Sequence, residues 1–248
     1  MSAPGDSERP GASADAASIR LAVVGARGRM GERICALATA DPRFVLVSRI
    51  DREEPAREPE PSASEPGLDV IIDFSTPAGT ERAIELALAR RAALLVGTTG
   101  LDATIRDRIA ALSARVAVLC AANTSIGVAV LGHLVSRATE LLAGWEIDIV
   151  EQHHSRKRDA PSGTALALAE AVERGGAKLD RGRIHAVRAG EIVGEHTVQF
   201  AGPGEVLRLE HVAIDRALFA HGALRAAAWL ARRGPGVYGV AEALGLPR

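Results

Sequence analysis

From Ile19 onward the chain alternates short apolar runs with longer amphipathic ones, and this rhythm restricts it to strands and helices laid down in turn. Ile19–Val24 reads as a strand, Met30–Ala40 as a helix and Phe44–Val47 as a second strand, which together make a βαβ unit. The pattern continues with a strand at Val70–Phe74, a helix at Ala78–Arg91 and a strand at Leu94–Val96. A helix N-capped by Asp102 and running to about Ala114 precedes a strand at Val116–Leu119. The Pro-, Glu- and Ser-rich stretch Glu53–Gly67 reads as a surface loop, and Met1–Ser18 as a disordered leader. The expected fold is α/β, a Rossmann-like doubly wound parallel sheet that binds its ligand at the C-terminal strand ends.

Beyond Asn123 the character changes. A long helix over Ile126–Ala143 leads to a strand at Glu146–Val150, an alanine-rich helix at Ser162–Arg174, and strands near Ile184–Val187, Glu195–Phe200 and Val206–Val212. These predict a second, α+β domain with an open mixed sheet, covered by helices on one face and able to pair between subunits. The helix Arg216–Arg232 and the residues after Gly234 are expected to return to the first domain, with a hinge near Asp215. The expected organisation is therefore a leader at 1–18, a dinucleotide-binding domain at 19–124 with 217–248, and a substrate-binding and oligomerisation domain at 125–216.

The net charge of −1 draws the chain to neither nucleic acid nor anionic lipid, so any affinity for anions must be local. Aromatic residues make up only 3%, too few for the stacking platforms that single-stranded nucleic acid needs. No apolar run reaches the ~20 residues that span a bilayer. Cys35 and Cys120 are far apart in sequence and suit packing in a reducing compartment rather than a disulfide, so a cytoplasmic location is expected.

Two groups of residues carry chemistry. The first strand ends in GARGRMG, Gly25–Gly31, and a helix follows at once. Gly25 permits a tight turn, Gly28 the close approach of a phosphate and Gly31 close helix packing, with Ala26, Arg27, Arg29 and Met30 between or beside them. Asp51, twenty residues beyond Gly31, is placed to accept hydrogen bonds from an adenosine ribose, and Arg52 to meet a 2′-phosphate, so NADPH or NADH is the expected cofactor. The turns Gly97, Thr98, Thr99 and Ala121, Ala122, Asn123 close the fourth and fifth strands at the same crevice.

The second group is EQHHSRKRDAPSGT, Glu151–Thr164, which sets two histidines and three cations before a helix start. Ser162, Gly163 and Thr164 offer backbone N–H groups to a carboxylate or phosphate, aided by the helix dipole. His153 and His154, adjacent at a strand end, are expected to point to opposite sides, one towards a ligand and one bracing the loop. No third ligand with a carboxylate partner stands at helical spacing, so the cluster reads as proton chemistry and no metal is expected.

Taken with DFSTP at Asp73–Pro77, VGTTG at Val96–Gly100, AANTSIGV at Ala121–Val128 and VRAGEIVGEHT at Val187–Thr197, these motifs resemble the dihydrodipicolinate reductase family. The likeness covers nearly the whole chain after the leader. It implies hydride transfer from NADPH or NADH to a cyclic unsaturated dicarboxylate in lysine and diaminopimelate biosynthesis, with a homotetramer built through the second sheet. It also implies His153 as general acid/base and Lys157 as proton donor, with His154, Gly163 and Thr164 on the substrate carboxylates and Ser162 beside them. Thr124 stands where the resemblance implies an aromatic residue, which makes one wall of the nicotinamide pocket more open. Two other readings fit the residues: a reductase of another small cyclic imine or dicarboxylate, and a non-catalytic NAD(P)-binding regulator, against which the presence of both His153 and Lys157 argues.

Overall fold

The computed structural model describes residues 17–51 and 67–246. Most of the expected leader, Arg52 and nearly all of the acidic loop up to Gly67 lie outside the described residues. The elements in chain order are β1 (Ile19–Val24), α1 (Arg29–Ala40), β2 (Phe44–Ile50), β3 (Val70–Asp73), α2 (Pro77–Arg90), β4 (Ala93–Val96), α3 (Ala103–Leu112) and β5 (Ala117–Cys120). They continue with α4 (Ile126–Leu141), β6 (Glu146–His153), α5 (Gly163–Arg174), β7 (Ile184–Arg188), β8 (Glu195–Gly202), β9 (Glu205–Val212), α6 (Ala217–Leu230), β10 (Gly236–Tyr238) and α7 (Val240–Ala243).

The first sheet is six-stranded and wholly parallel, in the order β10-β5-β4-β3-β1-β2. Its four inner strands, β5, β4, β3 and β1, are buried on both faces, which is why they read as unbroken apolar runs rather than alternating ones. Leu21, Val23, Ile72 and Leu119 pack against α1 and α6, while Ala22, Val24, Ile71 and Val118 pack under α2 and α3. Each fully buried Leu, Ile or Val contributes about 1.5–3 kcal/mol relative to exposure. The chain reverses direction across the sheet between β1 and β3, and this switch point is where an open α/β sheet leaves its ligand crevice.

The second sheet is mixed, in the order β7-β6-β8-β9, with β6 parallel to β7 and antiparallel to β8. One face buries Ile147, Ile149, Val198 and Phe200 under α4 and α5. The other carries Val187, Val206 and Val212, which are 40%, 48% and 47% exposed.

Three differences from the sequence reading bear on the site and the first sheet. β2 runs on to Ile50, which sets Asp51 directly at its end. β6 continues past Val150 through Glu151, Gln152 and His153, because β7 and β8 pair with it on both sides. The residues after Gly234 supply a whole strand, β10, that pairs with β5.

Candidate active site

The glycine-rich turn is built by backbone crowding. Gly25 has φ +80°, and a Cβ there would stand 2.4 Å from the Phe74 carbonyl oxygen; a Cβ on Gly31 would stand 2.0 Å from the Gly25 carbonyl oxygen. Only glycine lets β1, the β3 end and α1 meet so closely. Gly28 is the N-cap of α1 and supplies no side-chain cap, so the helix begins with amide N–H groups open to an anion. Asp51 Oδ2 accepts the Arg27 N–H at 2.8 Å, which draws that acid onto the turn. The Ala26 side chain packs into the core and its N–H donates to the Ile50 carbonyl at 3.3 Å, while Arg27 and Arg29 are exposed. Arg52 lies outside the described residues.

At the ends of the next strands the hydroxyls are already used. Asp73 is fully buried and accepts from Ser75 Oγ, Thr80 Oγ1 (2.6 Å) and Thr98 Oγ1 (3.0 Å). Burial pushes its pKa up, with these three hydroxyls opposing. Thr98 Oγ1 also accepts the Ser75 N–H at 2.8 Å, so its hydroxyl holds two loops together rather than facing the crevice. Gly97 lies against the Phe74 ring and Ala121 packs on the core, whereas Met30, Thr99, Ala122 and Asn123 line one large cleft. Cys120 is exposed and also lines it, so it is not the packing group the sequence suggested; Cys35 is buried, and both thiols are free.

That cleft, about 1820 Å³, is walled on its far side by His153, His154, Lys157, Ser162, Gly163 and Thr164. Asn123 Nδ2 donates to Thr164 Oγ1 at 2.9 Å. A single hydrogen bond therefore joins the end of β5, in the nucleotide crevice, to the first turn of α5. His153 and His154 both line the cleft and do not divide between ligand and loop; the bracing is done by Glu151, whose Oε2 meets His153 Nδ1 at 2.5 Å. Burial lowers the His153 pKa, with Glu151 opposing. His154 Nδ1 is buried without a hydrogen-bond partner among the described residues. Lys157 Nζ donates to both Asp159 oxygens at 2.8 and 2.7 Å.

Two side chains offered to the ligand line the cleft and are also hydrogen-bonded within the protein. The Ser162 hydroxyl caps α5 by accepting the Ala165 N–H at 3.2 Å and meets His196 Nε2 at 3.1 Å, leaving the open N–H groups of the helix start for an anion. Thr124 is 1% exposed, and its hydroxyl donates to the Phe219 carbonyl at 2.7 Å. Phe219 and Phe74 line the cleft, so aromatic rings reach it from α6 and from the β3 end although none stands at position 124.

Glu151, His153 and His196 have their ligating atoms within 4.8 Å of one another, a grouping the sequence reading did not find. Arg188 binds both Glu151 oxygens, at 2.6 and 2.9 Å, and a cation would have to displace this guanidinium. His196 is 4% exposed, and burial, with His153 next, pushes its pKa down to about 4 from an ordinary 6.5. Between those values the unfolded chain binds a proton that the folded chain does not, so stability rises with pH across the window, by about 3 kcal/mol in all. Melting temperature is expected to fall more steeply from pH 7 to pH 4 in the wild type than in His196→Gln. Parallel curves would refute the assignment.

A parallel sheet with a glycine turn at its switch point, facing a histidine- and lysine-lined anion site across one cleft, defines a two-domain pyridine-nucleotide oxidoreductase. Residues 19–124 match the family model for the N-terminus of dihydrodipicolinate reductase, and residues 127–244 match that for its C-terminus. The chain belongs to the dihydrodipicolinate reductase family. It is 46% identical over 236 residues to a 4-hydroxy-tetrahydrodipicolinate reductase of Stenotrophomonas maltophilia, covering 91% of this chain and 98% of that one. An enzyme of the same name from Xylella fastidiosa is 42% identical over 233 residues, covering 90% and 98%. Among solved structures, a dipicolinate-bound dihydrodipicolinate reductase from Paenisporosarcina sp. TG-14 has the same fold, with TM-score 0.74 at 22% identity over 91% of this chain and 98% of that one.

Proposed function

We infer that this protein is an NAD(P)H-dependent oxidoreductase that converts 4-hydroxy-tetrahydrodipicolinate to tetrahydrodipicolinate, a step of lysine and diaminopimelate biosynthesis in which the 4-hydroxyl leaves as water and the conjugated ring so formed takes up one hydride and one proton. Family membership supports the reaction. The hydrogen bond from Asn123 to Thr164 carries the structural case, because it sets the nucleotide crevice and the anion site against each other in one cleft. Gly25–Met30 and Asp51 would hold the dinucleotide, and Ala122 and Asn123 its reactive end. When bound, the reduced nicotinamide supplies a hydride to one carbon of the unsaturated ring.

The chain's own residues do the rest. The N–H groups at the start of α5, in Gly163 and Thr164, bind one ring carboxylate with the helix dipole behind them, and His154 takes the other. The carbon next to the reduced one must gain a proton. His153 is the general acid/base and Lys157 the proton donor, both held in the same cleft wall. The order of side chains suits a domain at 19–124 with 217–248 for the cofactor and one at 125–216 for the substrate.

The test is to mix purified protein with freshly generated substrate and NADPH or NADH in turn, and follow absorbance of the reduced cofactor. Substrate-dependent oxidation is expected with both, since Asp51 suits a ribose and Arg52 a 2′-phosphate. Folded protein that oxidises neither cofactor would overturn the reading. The exposed valines of the second sheet support self-association as a homotetramer, for which light scattering should give four times the monomer mass.

A further inference from the structure

Glu151 is fully buried on β6, two residues before His153 and on the same face of the sheet. Four donors meet its two oxygens. Oε1 accepts Arg188 Nη2 at 2.6 Å and the Ser162 N–H at 3.1 Å, while Oε2 accepts Arg188 Nη1 at 2.9 Å and faces His153 Nδ1 at 2.5 Å. The same Arg188 Nη2 donates to the Asp159 carbonyl at 2.6 Å, and the Asp159 carboxylate holds Lys157. One carboxylate and guanidinium thus reach both groups that handle protons.

An ionised carboxylate only accepts, so His153 Nδ1 carries the hydrogen and Nε2 is the atom that gains and loses the working proton. That nitrogen is kept open by Gly194, where a Cβ would stand 3.1 Å from it. We propose that Glu151 and Arg188 are a positioning pair, in which Glu151 fixes the tautomer and direction of His153 and Arg188 locks that carboxylate while anchoring the loop that presents Lys157. Their effect on turnover rests on the reductase reading; their effect on the imidazole does not. Burial pushes the Glu151 carboxyl up, but Arg188, His153 and the Ser162 N–H outweigh it and hold it below its usual range. The charged or titratable groups around His153 are Glu151 on its own strand, Arg188 on β7, His196 on β8 with its ring centroid 5.1 Å away, and Lys157 and Asp159 from the loop. His211 on β9 lies one step further, beside His196.

Two measurements test the pair. Nitrogen-15 NMR of histidine-labelled wild-type protein, without substrate, should find the neutral His153 ring protonated at Nδ1. A hydrogen at Nε2 would overturn the proposal whatever the protein's activity. Glu151→Gln keeps the shape but turns an amide donor towards Nδ1, forcing the opposite tautomer. Turnover should fall roughly 10²-fold or more with binding of reduced cofactor intact. Because Glu151 raises the His153 pKa, the limb of the pH–rate profile that His153 carries should move to lower pH. In a His153→Ala background the same change should cost less than about three-fold, since groups acting as a unit are not additive. An equal loss in both backgrounds, or an unmoved profile with full turnover, would make Glu151 merely structural. A wild-type protein with the Nδ1 tautomer but no oxidation of cofactor would instead sink the reductase reading and leave the tautomer assignment standing.

Discussion

His153→Ala should lose roughly 10²–10⁴-fold in kcat while binding reduced cofactor as the wild type does. The imidazole is in the cleft wall, but its removal leaves Glu151 with both Arg188 bonds and the Ser162 N–H, so no buried charge is stranded and the sheet should stand. The imidazole's hydrogen bond runs to Glu151 on its own strand and its ring packs on His196, both in the second sheet and away from the nucleotide turn. Steady-state kinetics with fluorescence titration of NADPH separates the outcomes: a fall in turnover alone marks proton chemistry, whereas equal loss of turnover and cofactor affinity would mean the residue holds the fold. Lowered by burial, the His153 pKa should also confine the histidine-dependent part of the pH–rate profile to pH below that of an exposed imidazole.

The second large effect is expected at Gly31→Ala. One methyl group there meets the Gly25 carbonyl oxygen at 2.0 Å and the Ala26 Cα at 2.7 Å, both backbone atoms that cannot rotate away. Overpacking of this kind costs about 3 kcal/mol or more, equivalent to a drop of roughly 6–12 °C in melting temperature for a chain of this size. The glycine turn must open to accommodate it, so cofactor affinity should fall together with Tm. Calorimetry and NADPH titration of the one variant check both, and a variant that melts and binds like the wild type would mean α1 does not press on the turn in solution.

Much of the first sheet could be read from apolar runs, because strands buried on both faces need no alternation to be noticed. The Asp102 cap was equally plain: it accepts the N–H three residues on, as a short polar side chain before a helical pattern should. β10 was not legible as a strand, since three residues carry no period and only the free edge of β5 makes them one. The last turn of β6 was misread for a related reason. Glu151, Gln152 and His153 look like loop, yet Ile147, Ile149, Glu151 and His153 keep a period of two, and that spacing was the available signal. Arg188 lies 37 residues beyond Glu151, and Asp73 gathers hydroxyls from Thr80 and Thr98. Nothing local in the sequence announces partners that far apart. At the site, residue types were legible and their use was not: Thr98, Thr124 and Ser162 have the right chemistry for ligands, but each hydroxyl has a partner within the protein.

The position of β10 has a consequence for biosynthesis on the ribosome. The second sheet and its two helices are complete in sequence before α6 and β10 are made, whereas the first sheet lacks an edge and a covering helix until residues 217–238 emerge. The later-numbered sheet can therefore mature while the earlier one still waits with the β5 flank uncovered, and a nascent chain that has emerged only as far as residue 215 should hold its histidine wall formed but be unable to keep a dinucleotide.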